Sequence, residues 1–209
     1  MGHATGHQPG MLLGLAAVPV ILGAMIGCTP SKPKSRVDAP ASDSVIKQSD
    51  GELTFYVLPY TGRMEKSVFG VDLHDGQQMA LEVRVERTGS DTDPLVLRRH
   101  DVQLVFEDGT RRYPVDPLKV YEKNRINGTG AAIAFGMVGA FIANSQDEDR
   151  HRTFAHAGLD EVRLAGNTRS ATGFLFFDFD GVAKPAGRSL IIEYERLPGL
   201  EVRAVEIAL

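Results

Sequence analysis

The sequence predicts a mainly β protein, an antiparallel β-sandwich that carries an inserted Gly/Ala-rich helix or helical hairpin. Three observations predict it. Apolar and polar residues alternate in run after run beyond Gly51, Asp-Gly pairs stand between those runs, and one stretch at 128–143 abandons the alternation for small residues four apart.

Leu53, Phe55 and Val57 alternate with Thr54 and Tyr56. Leu81, Val83 and Val85 alternate with Glu82, Arg84 and Glu86, and Leu190, Ile192 and Tyr194 with Ile191, Glu193 and Glu195. Successive side chains on a strand point to opposite faces, so each run has one packed face and one wet face. Asp75-Gly76, Asp108-Gly109 and Asp180-Gly181 supply the positive-φ residues that tight hairpins need. The clearest hairpin runs from Val102 to Tyr113 through Asp108-Gly109. The runs give seven or eight strands, near 52–59, 66–73, 79–88, 94–106, 111–115, 160–165, 171–179 and 188–196, with a further candidate at 201–208. That number, with hairpin signals between strands, is the pattern of a sandwich.

Ahead of the β region the chemistry changes. Met1 to Cys28 contains no Asp, Glu, Lys or Arg, and the following residues carry all 23 basic and 27 acidic side chains. Within the uncharged part, residues 11–26 form an apolar run that would span about 24 Å as a helix, short for a membrane crossing and suited to the apolar region of a secretory signal. The run closes on Met25-Ile26-Gly27-Cys28, which resembles the lipobox of bacterial lipoproteins, with Met25 where leucine is usual. The resemblance implies a signal peptide over 1–27, cleavage before Cys28 and attachment of lipid (diacylglycerol, with an acyl chain such as palmitate) to that cysteine. Thr29 follows where an aspartate would mark inner-membrane retention. The resemblance therefore implies an outer-membrane anchor facing the periplasm in a diderm cell. The other reading of the run is an uncleaved anchor helix or an apolar core segment. Residues 28–50 are rich in Pro, Ser, Lys, Asp and Ala and poor in large apolar side chains, which makes them a flexible tether. Residues 51–209 are then the sandwich domain, with a helical insert at about 117–157.

The stretch from Glu161 to Phe177, in which a Gly166-bearing turn leads to Gly173-Phe174-Leu175-Phe176, resembles the penultimate strands of immunoglobulin-like extracytoplasmic domains in bacterial lipoproteins. It implies an immunoglobulin-like sandwich and no activity of its own.

Gly128, Ala132, Gly136 and Ala140 fall four apart, and Gly139 and Ala143 continue a neighbouring row. On a helix such residues let another backbone approach closely. The segment resembles the glycine zippers of some envelope lipoproteins, and a helix-packing or self-association role, including a homo-oligomer, is the expectation attached to these six residues. A helix docked on the domain is the alternative. The cluster Asp147-Glu148-Asp149-Arg150-His151-Arg152 reads as a solvated loop or helix end.

Catalytic and metal groupings are thin. A net charge of -4 argues against nucleic acid as partner, and one cysteine excludes a disulfide framework or a multi-thiolate site. Of His74, His100, His151 and His156, the close pair His151 and His156 is five apart and misses the i, i+4 register of a helical zinc site. Asp178-Phe179-Asp180-Gly181 begins like a calcium loop, but Ser189 stands where the bidentate acid belongs. Gly128-Thr129-Gly130 lacks the Lys-Ser/Thr pair of a phosphate loop, and no Gly-x-Ser-x-Gly elbow occurs. The sequence therefore points to no catalytic residue, cofactor or metal ligand. It favours a non-enzymatic lipoprotein that meets the membrane through its anchor and an envelope protein through its sandwich. A self-associating or membrane-inserting lipoprotein is the second reading, and a metal-dependent hydrolase or metal binder the third.

Overall fold

A computed structural model describes residues 44–125 and 146–209. The elements, in chain order, are β1 (Ile46–Ser49), β2 (Leu53–Pro59), helix α1 (Gly62–Phe69), β3 (Gln78–Arg87), β4 (Leu95–Arg98), β5 (Val102–Phe106), β6 (Arg111–Arg112), helix α2 (Pro117–Lys123), helical residues 146–157 (α3), β7 (Glu161–Leu164), β8 (Ser170–Asp178), β9 (Gly187–Arg196) and β10 (Glu201–Ala208). Short 3-10 turns at His74–Gly76 and Arg99–Asp101 precede β3 and β5.

The strands form two antiparallel sheets. The first has the order β1-β2-β3-β8; in the second, β9 pairs β10 on one side and β5 and β4 on the other, with β6 and β7 outside them. The chain changes sheet between β3 and β4, between β7 and β8, and between β8 and β9, the crossing pattern of an immunoglobulin-like sandwich. β4 and β5 are two halves of one line of chain, both paired with β9, broken where Arg99-His100-Asp101 turns out of the sheet.

Period two fixes which side chains enter the space between the sheets. Leu53, Phe55 and Val57 on β2, Leu81, Val83 and Val85 on β3, and Leu190, Ile192 and Tyr194 on β9 all lie in one buried cluster, as their alternation requires. The hairpin at Asp108-Gly109 forms with Gly109 at φ +82, where a side chain other than glycine would be strained.

Two expected features are corrected. Residues 66–73 do not form a strand: they are the end of α1 and the turn after it. Glu65 and Phe69, one helical turn apart, are both buried, and Gly70 at φ +71 closes the helix with its N–H on the Lys66 carbonyl. The stretch given to the tether up to residue 50 is too long, because Ile46 to Ser49 pair in register with Val57 to Thr54 and belong to the sheet.

Where a helical insert is expected at about 117–157, two helical arms, 117–123 and 146–157, are described. α2 starts at Pro117, capped by Asp116, whose side chain accepts from the Leu118 N–H, and α3 ends at residue 157. The insert leaves and rejoins the fold beside β8, through bridges from Val115 to Phe176 and from Gly158 to Phe174. Its two described arms, with α1, cover the outer face of the first sheet, where Leu58, Phe69, Ala80, Val120, Phe154, Phe174 and Phe176 make a second apolar core. Phe154 stacks on Phe69 at 4.9 Å between ring centroids, and Phe69 meets Phe174 and Phe176 edge-on. Burying each such ring is worth about 2–3 kcal/mol, enough to hold short helices that could not stand alone.

Candidate functional site

The helix-covered face of the first sheet holds the buried side chains of Glu65, Glu82, Asp147 and Arg150. A sheet face that alternates apolar and polar residues and is then covered must either neutralise or pair what it covers. Here it pairs. Glu82, in the outward row of β3, is fully buried and accepts a hydrogen bond of 2.8 Å from the Tyr60 hydroxyl.

The first polar group lies where α1, the turn at His74 and the start of β3 meet. The Glu65 carboxylate is 0% exposed; Oε1 accepts the Ala80 N–H at 3.1 Å, and Oε2 accepts the Leu73 N–H at 3.0 Å. His74 Nδ1 lies 2.9 Å from Glu65 Oε2 and 3.8 Å from Asp72 Oδ1. Asp72 Oδ1 also accepts the His74 N–H at 3.2 Å, and Lys66 Nζ stands 3.5 Å from Oδ2. Gly62 makes room for this arrangement, since a Cβ there would come within 2.4 Å of both Asp72 oxygens. Burial pushes the Glu65 carboxyl above its ordinary value, against the pull of His74 and the two backbone donors. Glu65, Asp72 and His74 are the residues that could hold a metal among those described, with one ligand atom from each all within 4.8 Å of one another.

The second group ties the two arms of the insert together. Asp147 Oδ2 accepts from the Tyr121 hydroxyl at 2.8 Å and from Arg125 Nε at 3.0 Å. The Arg150 guanidinium donates through Nε to the Phe69 carbonyl at 3.2 Å and through Nη2 to the Asn124 carbonyl at 2.9 Å. Burial and the Asp147 carboxylate together hold the Tyr121 hydroxyl above its usual value. The reading of 147–152 as a solvated cluster is thereby corrected: Asp147 and Arg150 are buried on the inner side of α3, and only their neighbours face water.

A third group closes one end of the sandwich. Tyr194 of β9 donates to Asp50, Arg196 pairs with Glu52 at 2.9 Å and with Asp91, and Arg203 of β10 reaches Glu52 at 3.2 Å. These bonds join the entry to β2 to the opposite sheet. Burial, with Asp50 beside it, pushes the Tyr194 hydroxyl far up.

Cys28 and the six small residues Gly128, Ala132, Gly136, Gly139, Ala140 and Ala143 lie outside the described residues, as does Gly128-Thr129-Gly130. His151 meets Tyr121 edge-on at 5.0 Å, whereas His156 is exposed. Asp178 ends β8 and receives Lys123 Nζ at 3.0 Å, and Ser189 is buried in β9 opposite Val105 and Ala208, so the stretch is a strand end and turn. The sequence named His74 and did not connect it with Glu65 or Asp72. The signal was Gly70: read as a helix stop, it puts Glu65 on a helix whose inner face points at the turn.

No helix among the described residues is long and apolar enough to cross a membrane. No family model matches the chain and no curated protein matches it. Among solved structures, the chain is similar to a protein of the DUF4426 family from Pseudomonas aeruginosa PAO1, at 8% identity and a TM-score of 0.31, over 79% of this chain and 93% of that one.

Proposed function

We propose that this chain is a lipid-anchored lipoprotein of the bacterial cell envelope, held at Cys28, whose sandwich acts as a non-catalytic binding or assembly module for another envelope protein. The observation that carries the reading is the order of parts: Met25-Ile26-Gly27-Cys28, then 17 residues of tether composition, then β1. A flexible stretch of that length has a root-mean-square reach of roughly 22 Å, enough to hold a domain clear of lipid headgroups. With Thr29 after the cysteine, the anchor belongs in the outer membrane, facing the periplasm, if the cell has one. Intact mass and fractionation test it. The mature protein is expected to begin at an acylated Cys28 and to pellet with membranes, and Cys28→Ser to lose both; an unmodified Cys28 in a pelleted protein would overturn the reading.

A second reading, self-association through residues 128–143, draws support from the paired bases of the insert. Arg125 and Asp147, which flank that stretch in the chain, pair at 3.0 Å. Gly136→Leu is expected to dissolve an oligomer without unfolding the sandwich. Sedimentation showing a wild-type monomer would remove this reading and leave the first intact.

A further inference from the structure

We propose that Glu65, Asp72 and His74 form a binding site for one divalent transition-metal ion, zinc first among them, that fastens α1 and the following turn to the edge of β3.

The ligand geometry is the first argument. In a tetrahedral zinc site with bonds of 2.0–2.1 Å, neighbouring ligand atoms stand about 3.3 Å apart. The separations from His74 Nδ1 to Glu65 Oε2 and to Asp72 Oδ1 are 2.9 and 3.8 Å, one on each side of that value. All three ligand atoms lie within 4.8 Å of one another, so a cation between them would draw together side chains that are already neighbours. The imidazole must present a bare Nδ1 to the metal, so its proton moves to Nε2 or leaves to solvent.

The supporting hydrogen bonds are the second. Metal-binding carboxylates are held by outer donors that fix their direction. Glu65 is fixed by Ala80 N–H and Leu73 N–H, and Asp72 by the His74 N–H. Gly62 leaves the space that the Asp72 carboxylate fills. These constraints aim three side chains from two separate elements at one point.

Charge is the third. A fully buried carboxylate demands a counter-charge, and the only cationic group within ion-pair distance of Glu65 among the described residues is His74, which carries charge only when protonated. Lys66 neutralises the far oxygen of Asp72 alone. A divalent ion offsets both carboxylates without protonating the histidine. The His74 side chain is 40% exposed and that of Asp72 20%, which leaves a solvent side for entry and for a water ligand. One imidazole with two carboxylates suits zinc or another first-row metal. Calcium, which takes six to eight oxygen ligands, is poorly served.

The test uses the full chain in detergent, stripped with chelator and titrated calorimetrically with zinc chloride, with magnesium chloride as control. About one zinc per chain is expected, with a rise in melting temperature. His74→Ala and Asp72→Asn, both at partly exposed side chains, are expected to stay folded and to weaken binding at least about tenfold. His151→Gln is expected to leave it unchanged. Cobalt in place of zinc should give visible d–d absorption in wild type that His74→Ala loses. No heat with zinc, or binding kept in both His74→Ala and Asp72→Asn, would overturn the site. Either result leaves the anchoring at Cys28 untouched, because that is read by mass and fractionation.

Discussion

Arg125 Nε stands 3.0 Å from Asp147 Oδ2, so two residues 22 positions apart in the chain meet at the base of the insert. Asp147 at the same time holds Tyr121, and Arg150 crosses to the Asn124 carbonyl, which makes the base a small, partly buried network between α2 and α3.

Asp147→Ala tests the network. It leaves the buried Tyr121 hydroxyl without its acceptor and Arg125 without its counter-ion. A loss of about 1–3 kcal/mol in unfolding free energy is expected by urea denaturation. Arg152→Ala, one turn away in an exposed pair with Glu148, should change stability by less than about 0.5 kcal/mol. Equal effects from the two variants would show that the base of the insert is no more than a solvated surface.

How much of this was legible in the sequence follows from what period two can and cannot see. Leu81-x-Val83-x-Val85 and Leu190-x-Ile192-x-Tyr194 announced central strands because inward and outward positions differ in polarity. Residues 66–73 misled for the same reason. Val68, Phe69, Val71 and Leu73 look strand-like until Gly70 is read as a helix stop with Glu65 and Phe69 on the helix's inner face. Asp75-Gly76 gave a turn, yet the positive φ falls on Gln77, and the turn is a 3-10 step into β3. The buried charges were out of reach altogether. Asp147 looked solvated among five charged or titratable neighbours, and what buries it is Tyr121, 26 residues away, across a stretch whose path composition does not encode.

Gly158→Ala probes the point where the insert rejoins β8. A Cβ at Gly158 would lie 2.5 Å from Cγ of Pro117, a ring atom with little freedom to move. Over-packing of that kind costs about 1–3 kcal/mol. Gly199→Ala, with no atom within 4 Å of the added Cβ, is the control and should be nearly neutral. Equal melting temperatures for both would mean that Pro117 and Gly158 do not meet as described.

Glu65 makes stability depend on pH in a definite direction. Its folded carboxyl titrates above the ordinary 4.5, chiefly because it is buried. A carboxyl raised in this way takes up its proton in the folded state first. The charged form therefore costs stability above the folded value, and that cost is relieved as pH falls through it toward 4.5. Glu65→Gln cannot titrate and retains both His74 and Asp72. In urea denaturation from about pH 8 downward, with chelator present, wild type should gain stability relative to Glu65→Gln as the solution becomes more acidic. The opposite slope would show that His74 and the backbone donors outweigh burial and hold the carboxyl below its ordinary value.

The boundary between tether and domain is set by hydrogen bonds, and truncation reads it directly. Composition alone extends the tether to residue 50, but Ile46 to Ser49 pair with β2, Ser49 Oγ donates to the Leu53 carbonyl at 3.0 Å, and Asp50 caps the Leu53 N–H at 2.8 Å while receiving Tyr194. Removing 29–43 behind an intact Cys28 should leave the melting temperature within a degree or two of wild type, since that stretch is poor in the large apolar side chains a core buries. Removing 29–50 takes away β1, bares the β2 edge and leaves the buried Tyr194 hydroxyl without Asp50, and a loss of several kcal/mol is expected from the combined cost. A Tyr194→Phe variant separates the two contributions. It keeps β1 and removes only the hydroxyl's bonds, to Asp50 and to Glu52 at 3.4 Å, for about 1–2 kcal/mol. If both truncations melted together with wild type, β1 would be an appendage, and the tether would run to residue 50 as composition alone suggests.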